Sequence, residues 1–219
     1  MTETTHPGAN AAAPDVPSVR LVATLGVAGA LAGLFIVLAY QGTLPAIERN
    51  RAARTDRAIH EVLRNLERYD TLYLHEGSLT AQLPPGVDGR PLERVYAGYD
   101  TAGARVGFAL ATGEPGFQDV IRILVGFDPA TRTTLGLTIL SSLETPGLGD
   151  KINAEDWRAQ FRGRKTPLIR VKPGTATQPN EVHAISGATI SSRTVIAAVN
   201  KGVERWAPLL DAYLEKGRP

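Results

Sequence analysis

The chain contains no cysteine. That absence excludes disulfides, thiolate-ligated iron–sulfur clusters and a cysteine nucleophile together, and leaves the redox compartment open. Histidine is scarce too: His6, His60, His75 and His183 are scattered and show no metal-ligand spacing. Neither sign of charge prevails, with 24 lysines and arginines against 22 aspartates and glutamates, so nothing points to a nucleic-acid partner. There is no G-x-x-x-x-G-K-[ST] phosphate loop and no G-x-S-x-G nucleophile elbow. No glycine-rich loop follows the first clear strand, which argues against a doubly wound dinucleotide-binding fold. The side chains offer no reversible electron carrier, so any redox role needs a borrowed cofactor.

What is present begins with a membrane signature. Residues 1–20 are polar, rich in Ala, Thr and Pro, and read as a disordered tail. Residues 21–40 then run without a charge, long enough to cross a hydrocarbon core of about 30 Å at about 1.5 Å per residue. A cleaved signal peptide would have a shorter apolar region and a basic start, so the stretch reads as a retained anchor. Gly26, Gly29 and Gly33 leave small faces on it for partner helices. Only Arg20 precedes the span closely, whereas Arg49, Arg51, Arg54 and Arg57 follow it. The positive-inside rule alone would leave the rest of the chain in the cytoplasm. Residues 45–69 read as a juxtamembrane helix, with Pro45 in its first turn and Ile59, Val62, Leu63 and Leu66 on one stripe. Its basic face suits solvent or anionic lipid headgroups.

Residues 70–219 form the expected globular domain. Residues 94–99 alternate, 100–103 turn and 105–110 return, followed by 120–127, a turn at Asp128-Pro129, and 134–140. This predicts an antiparallel sheet with one face buried and flanking helices, an α+β fold. Residues 70–93 carry no clear pattern.

Two stretches stand out for chemistry. Ser186-Gly187-Ala188-Thr189 follows a short alternating run over 182–185 and precedes a helix-forming run from Thr194. A strand-to-helix turn of this kind offers orphan N–H groups and a positive dipole end to a phosphate. Gly187 permits a tight turn, Ala188 adds little bulk, and two hydroxyls flank the spot. On pattern alone it is equally a helix start with hydroxyl caps. The second stretch is Glu144-Thr145-Pro146-Gly147-Leu148-Gly149, continued by Asp150-Lys151-Ile152. Pro146 stiffens it, and the glycines let the backbone pass close to something flat. On pattern alone it is equally a turn leading to a helix around Trp157 and Phe161.

Taken together and in this order, the two stretches resemble the motifs of the G subunit of the Rnf electron-transport complex. Its flavin-binding domain is shared with the C subunit of the Na+-translocating NADH:quinone reductase. The Gly-Asp-Lys-Ile continuation is more similar to the Rnf subunit, and the resemblance covers the anchor and most of residues 94–206. It implies an FMN joined through its phosphate to Thr189 by a separate flavin transferase that uses FAD. Ser186, Gly187 and the N–H groups near Ala188 and Ile190 would then hold the phosphate. Thr145, Leu148 and Gly149 would lie against the isoalloxazine ring, and Glu144 or Lys151 would bias its charge on reduction. It also implies a flavin domain outside the cytoplasmic membrane, contrary to the arginine count. Implied partners are the other membrane subunits of an Rnf-type complex, which moves electrons between ferredoxin and NAD and couples this to ion transport. Nothing in this chain binds NAD or builds an ion path.

The sequence also departs from that pattern. His183 stands where an aspartate usually lies six residues before the modified threonine, and Ser142-Leu143 replaces a more polar pair. Two other readings therefore stay open: a membrane-anchored FMN-binding regulator or sensor without electron relay, and an assembly protein whose flavin site has decayed.

Overall fold

The computed structural model describes residues 17–216. It divides into two units, the first ending at Arg51 and the second starting at Ala52. Helix α1, Ser18–Val62, begins in the first and ends in the second. Its early part holds an 18-residue window of mean hydropathy 2.5, long and apolar enough to cross a membrane. Leu25, Phe35 and Ile36 stand exposed along it. Apolar surface of this extent on a lone helix calls for lipid or partner helices, which fits a single-pass membrane anchor. Most of the expected tail lies outside the described residues, and residues 18–20 already belong to α1.

The expected separate helix over 45–69 is corrected in two ways. Pro45 lies inside α1 rather than at a helix start. Its missing N–H leaves the Gln41 carbonyl without that partner and its ring crowds the same carbonyl, yet α1 runs through it. At the other end the helix stops at Val62. Asn65 takes a left-handed conformation with φ of 59°, and residues expected to be helical enter strand β1, Arg68–His75.

β1 pairs with β2 (Ser78–Thr80) and with β3 (Arg94–Tyr99), so the stretch without pattern holds an edge of the sheet. β4 (Arg105–Pro115), β5 (Val120–Asp128), β6 (Thr133–Ser141) and β7 (Arg164–Lys165) complete it. The order is β2-β1-β3-β4-β5-β6-β7, and every neighbouring pair is antiparallel. A short helix α2 (Glu155–Ala159) follows β6. A parallel pair, β8 (Ile169–Val171) with β9 (Glu181–His183), leads into the long helix α3, Thr189–Lys216. The α+β expectation holds.

The single buried face expected of the sheet is corrected: both faces are apolar and covered, one by α3 and one by the end of α1. Phe108, Leu110, Ile121, Ile123, Val125 and Phe127 point to one side, where α3 lays down Val195, Ala198, Val199, Val203, Trp206 and Leu210. These α3 positions follow the i, i+3, i+4 pattern of one helix face, as a helix facing a sheet requires. Ala109 and Leu124 point to the other side, under Ala58, Ile59, Val62 and Leu63 at the end of α1. Glu61 locks that end in place, pairing with Arg158 of α2 and accepting from Thr138 Oγ1 at 2.9 Å.

The close seat of α1 depends on two glycines that face each other across β5 and β6, Gly126 and Gly136. A Cβ on Gly126 would come within 2.5 Å of the Val62 carbonyl oxygen, and one on Gly136 within 3.1 Å. Backbone on backbone leaves nothing flexible to yield. Gly126→Ala is therefore expected to destabilise the domain by about 1–3 kcal/mol, read as a lower thermal midpoint. An unchanged midpoint would contradict the seat described.

Candidate functional site

The segment before α3 is built as a turn. Gly187 has φ of +82°, a conformation that side chains resist. Ala188 N–H donates to Ile185 O at 3.0 Å, and Ser192 Oγ bridges back by accepting from Ile185 N–H at 2.9 Å. The first bond of α3 that closes is Ser192 N–H to Ala188 O, at 3.0 Å. The N–H groups of Thr189, Ile190 and Ser191 have no intrahelical acceptor and lie at the positive end of a 28-residue helix. The Ala188 N–H, expected near a phosphate, is instead committed to the turn.

The hydroxyls here divide sharply. Ser191 Oγ donates to Glu144, Ser192 Oγ to Ala188 O, and Thr194 Oγ1 to Pro115 O, and all three residues are buried. Thr189 is exposed, and its hydroxyl has no hydrogen-bond partner among the described residues.

The second stretch packs directly beside this turn. Thr145 O accepts from Leu148 N–H at 3.1 Å and Asp150 N–H at 3.3 Å, which closes the loop just before a 3-10 turn over Gly149–Asn153. Glu144 is 6% exposed. Its Oε1 accepts from Phe117 N–H at 2.8 Å and Gln118 N–H at 3.3 Å, while Oε2 accepts from Ser191. Three segments thus meet on one carboxylate: the β4–β5 turn, the loop and the start of α3. Two glycines make room for it. A Cβ on Gly149 would come within 2.8 Å of both Glu144 Cβ and Ser191 Oγ, and one on Gly116 would collide with Glu144 Oε1. Gln118 adds a side-chain bond to Thr145 Oγ1 at 2.9 Å.

A cavity of about 340 Å³ opens where these segments meet. Glu144, Thr145, Leu148, Gly149, Gly187, Ala188, Thr189 and Ile190 line it, as do Phe117 and Ser191. The two stretches, some forty residues apart in sequence, therefore form one concave site of the size small molecules occupy, about 300–1,000 Å³. Two expected site residues are not brought to it. Lys151 is exposed and lines an adjoining hollow with Trp157 and Gln160. Ser186 is exposed and off the cavity wall. Glu144 lines the cavity, but its carboxylate is engaged with protein donors, a fastening task not read from the sequence. Phe117 and Ser191 went unread as well. Their signals were slight: an aromatic in a Pro-Gly-Phe-Gln-Asp turn, and a serine two residues past Thr189.

His183 has a structural place. Its Nδ1 accepts from Gly174 N–H at 2.7 Å, its N–H donates to Gln160 Oε1 at 2.9 Å, and its carbonyl accepts from Trp157 Nε1 at 2.7 Å. Trp157 packs edge-on to Phe161 at 5.0 Å, although α2 ends before Phe161. Nearby, the N–H groups of Thr177 and Gln178 hold the Glu181 carboxyl below the usual carboxylate range. Its hold on that loop is present above the ordinary carboxylate pKa and is lost as pH falls through the lowered one.

The class to which this arrangement corresponds is given by comparison: the family model described as an FMN-binding domain matches residues 116–204. The match begins at the β4–β5 turn and takes in both stretches. The G subunit of the ion-translocating oxidoreductase complex of Cereibacter sphaeroides (strain ATCC 17023) is 33% identical over 186 residues, 81% of this chain and 82% of that protein. The G subunit of the Na(+)-translocating ferredoxin:NAD(+) oxidoreductase complex of Acetobacterium woodii is 38% identical over 116 residues, 52% of this chain and 55% of that protein. The chain belongs to the family of G subunits of ion-translocating oxidoreductase (Rnf) complexes. Its fold is that of the C subunit of the Na(+)-translocating NADH-quinone reductase from Parabacteroides distasonis, with a TM-score of 0.58 at 18% identity over 76% of this chain and 96% of that one.

Proposed function

We propose that the chain is the electron-carrying subunit of a membrane-bound Rnf-type complex and carries its FMN as a phosphoester on Thr189. The observation that carries this reading is the contrast among the hydroxyls of α3. Ser191, Ser192 and Thr194 are buried and spent on hydrogen bonds, whereas Thr189 is exposed, unpartnered among the described residues and on the cavity wall. A transferase needs a hydroxyl it can reach.

FMN, when bound, supplies the electron-carrying ring that the side chains lack. The chain's own residues fit such a group. The N–H groups of Thr189, Ile190 and Ser191 hold phosphate oxygens at the helix start, and Gly187 keeps bulk away from them. Leu148 and Ile190 offer apolar contact to the ring, and Thr145 and Gly149 line the same wall. Glu144 holds the walls in register. A tether removes dissociation, so the carrier keeps its flavin while the ring stays open to exchange electrons. The names of the relatives support a place in ferredoxin/NAD electron transfer coupled to ion translocation, with the other membrane subunits as partners. We place the flavin domain outside the cytoplasmic membrane on the strength of the family resemblance, with the arginines of α1 beyond the lipid headgroups.

The test is ultraviolet fluorescence of the denatured chain on a gel after co-expression with a flavin transferase. A fluorescent band is expected, and a dark band would overturn the covalent reading. With a transferase that reads aspartate six residues before the threonine, His183→Asp is expected to brighten the band. Equal brightness would assign His183 to packing alone.

A further inference from the structure

We infer that Phe117 is the stacking residue of this site: its phenyl ring packs on the isoalloxazine of the bound FMN and limits the ring's contact with water. The inference rests on the flavin reading above and adds a third wall, contributed by a turn that neither motif contains.

Phe117 lies on the β4–β5 turn, lines the cavity and is 65% exposed. A side chain this apolar gains from burial, and a flat ring seated in the cavity would provide it. Leu148 and Ile190, 48% and 41% exposed, are the other large apolar side chains on the wall, and neither has an aromatic face.

The position of Phe117 is fixed rather than accidental. Its N–H donates to buried Glu144 at 2.8 Å, and Gly116 N–H closes the turn on Asp119 O at 2.8 Å. A side chain at residue 116 would collide with the carboxylate, so the glycine is what lets Phe117 reach it. The same carboxylate holds Ser191, two residues past Thr189. One buried anion therefore sets the distance between the aromatic wall and the attachment residue. That arrangement suits a ligand held at both ends, with a phosphate at the helix start and a ring under the turn.

The experiment uses the full chain co-expressed with a flavin transferase, as wild type, Phe117→Ala, Phe117→Leu and Phe117→Trp. Emission of the denatured protein measures attached flavin, and the ratio of native to denatured emission reports the ring's surroundings independently of loading. Phe117→Trp is expected to lower that ratio several-fold, because an indole in contact with a flavin ring quenches it. Phe117→Ala is expected to raise the quenching of native emission by iodide several-fold, with Phe117→Leu between it and wild type. If Phe117→Trp keeps the wild-type ratio at equal loading, Phe117 does not touch the ring and the inference falls while the flavin reading stands. A dark wild type after denaturation would remove both. Phe117 is exposed, and three variants of different size keep the test intact should one of them fold poorly.

Discussion

Thr189→Ala is expected to yield a folded protein with no covalently bound flavin. Thr189 is exposed, and its side chain makes no hydrogen bond among the described residues. Its loss should change stability by no more than about 0.5 kcal/mol, and alanine is the better helix former at the start of α3. The thermal midpoint is therefore expected to stay near wild type while the denatured band goes dark. The buried hydroxyls nearby cannot substitute, because Ser191, Ser192 and Thr194 donate to Glu144, Ala188 and Pro115. Ser186→Ala serves as the control. It removes a hydroxyl only three residues away but off the cavity wall, and it is expected to leave the band bright. A bright Thr189→Ala band would overturn the assignment of the site.

Glu144→Ala has the larger effect on the fold. The carboxylate is the acceptor for Phe117 N–H, Gln118 N–H and the buried Ser191 hydroxyl. Each donor left without a partner in a buried place costs about 1–3 kcal/mol, and the exposed turn recovers part of this from water. A net destabilisation of about 2–4 kcal/mol is expected. Flavin loading should fall with it, since the β4–β5 turn and the start of α3 lose their common anchor. Glu144→Gln keeps the shape and one acceptor oxygen, and is expected to recover most of the midpoint. Equal midpoints for Glu144→Ala and wild type would show that the three segments do not meet on this carboxylate.

The parts of the fold that were legible are those where local pattern and tertiary burial agree. β3 to β6 show as short apolar runs between turn residues, but the one buried face expected from alternation becomes two, with Ile121, Ile123, Val125 and Phe127 facing α3 and Leu124 facing α1. The first two residues of β1, Arg68 and Tyr69, read as helix because Val62, Leu66 and Tyr69 continue a helical spacing past the true end of α1, and the break falls on Asn65, whose left-handed conformation no apolar pattern announces. β7 and β8 span two and three residues, too short for any period to show. The site was legible as two motifs, and they do line one cavity. The task of Glu144 was not, because its partners lie 27 residues before it and 47 residues after it in the chain. Phe117 was hidden for the same reason: its importance comes from what the fold sets beside it.

Peptide mapping of the wild-type chain after co-expression with a flavin transferase tests the bond at Thr189 without recourse to a variant. Trypsin should release residues 171–193 as one peptide, since the bond after Lys172 precedes a proline. This peptide is expected to carry the added mass of FMN less water and to fragment so that the adduct falls on Thr189. An adduct on Thr175, Thr177 or Ser186, or a bare peptide from a protein that is fluorescent after denaturation, would contradict it.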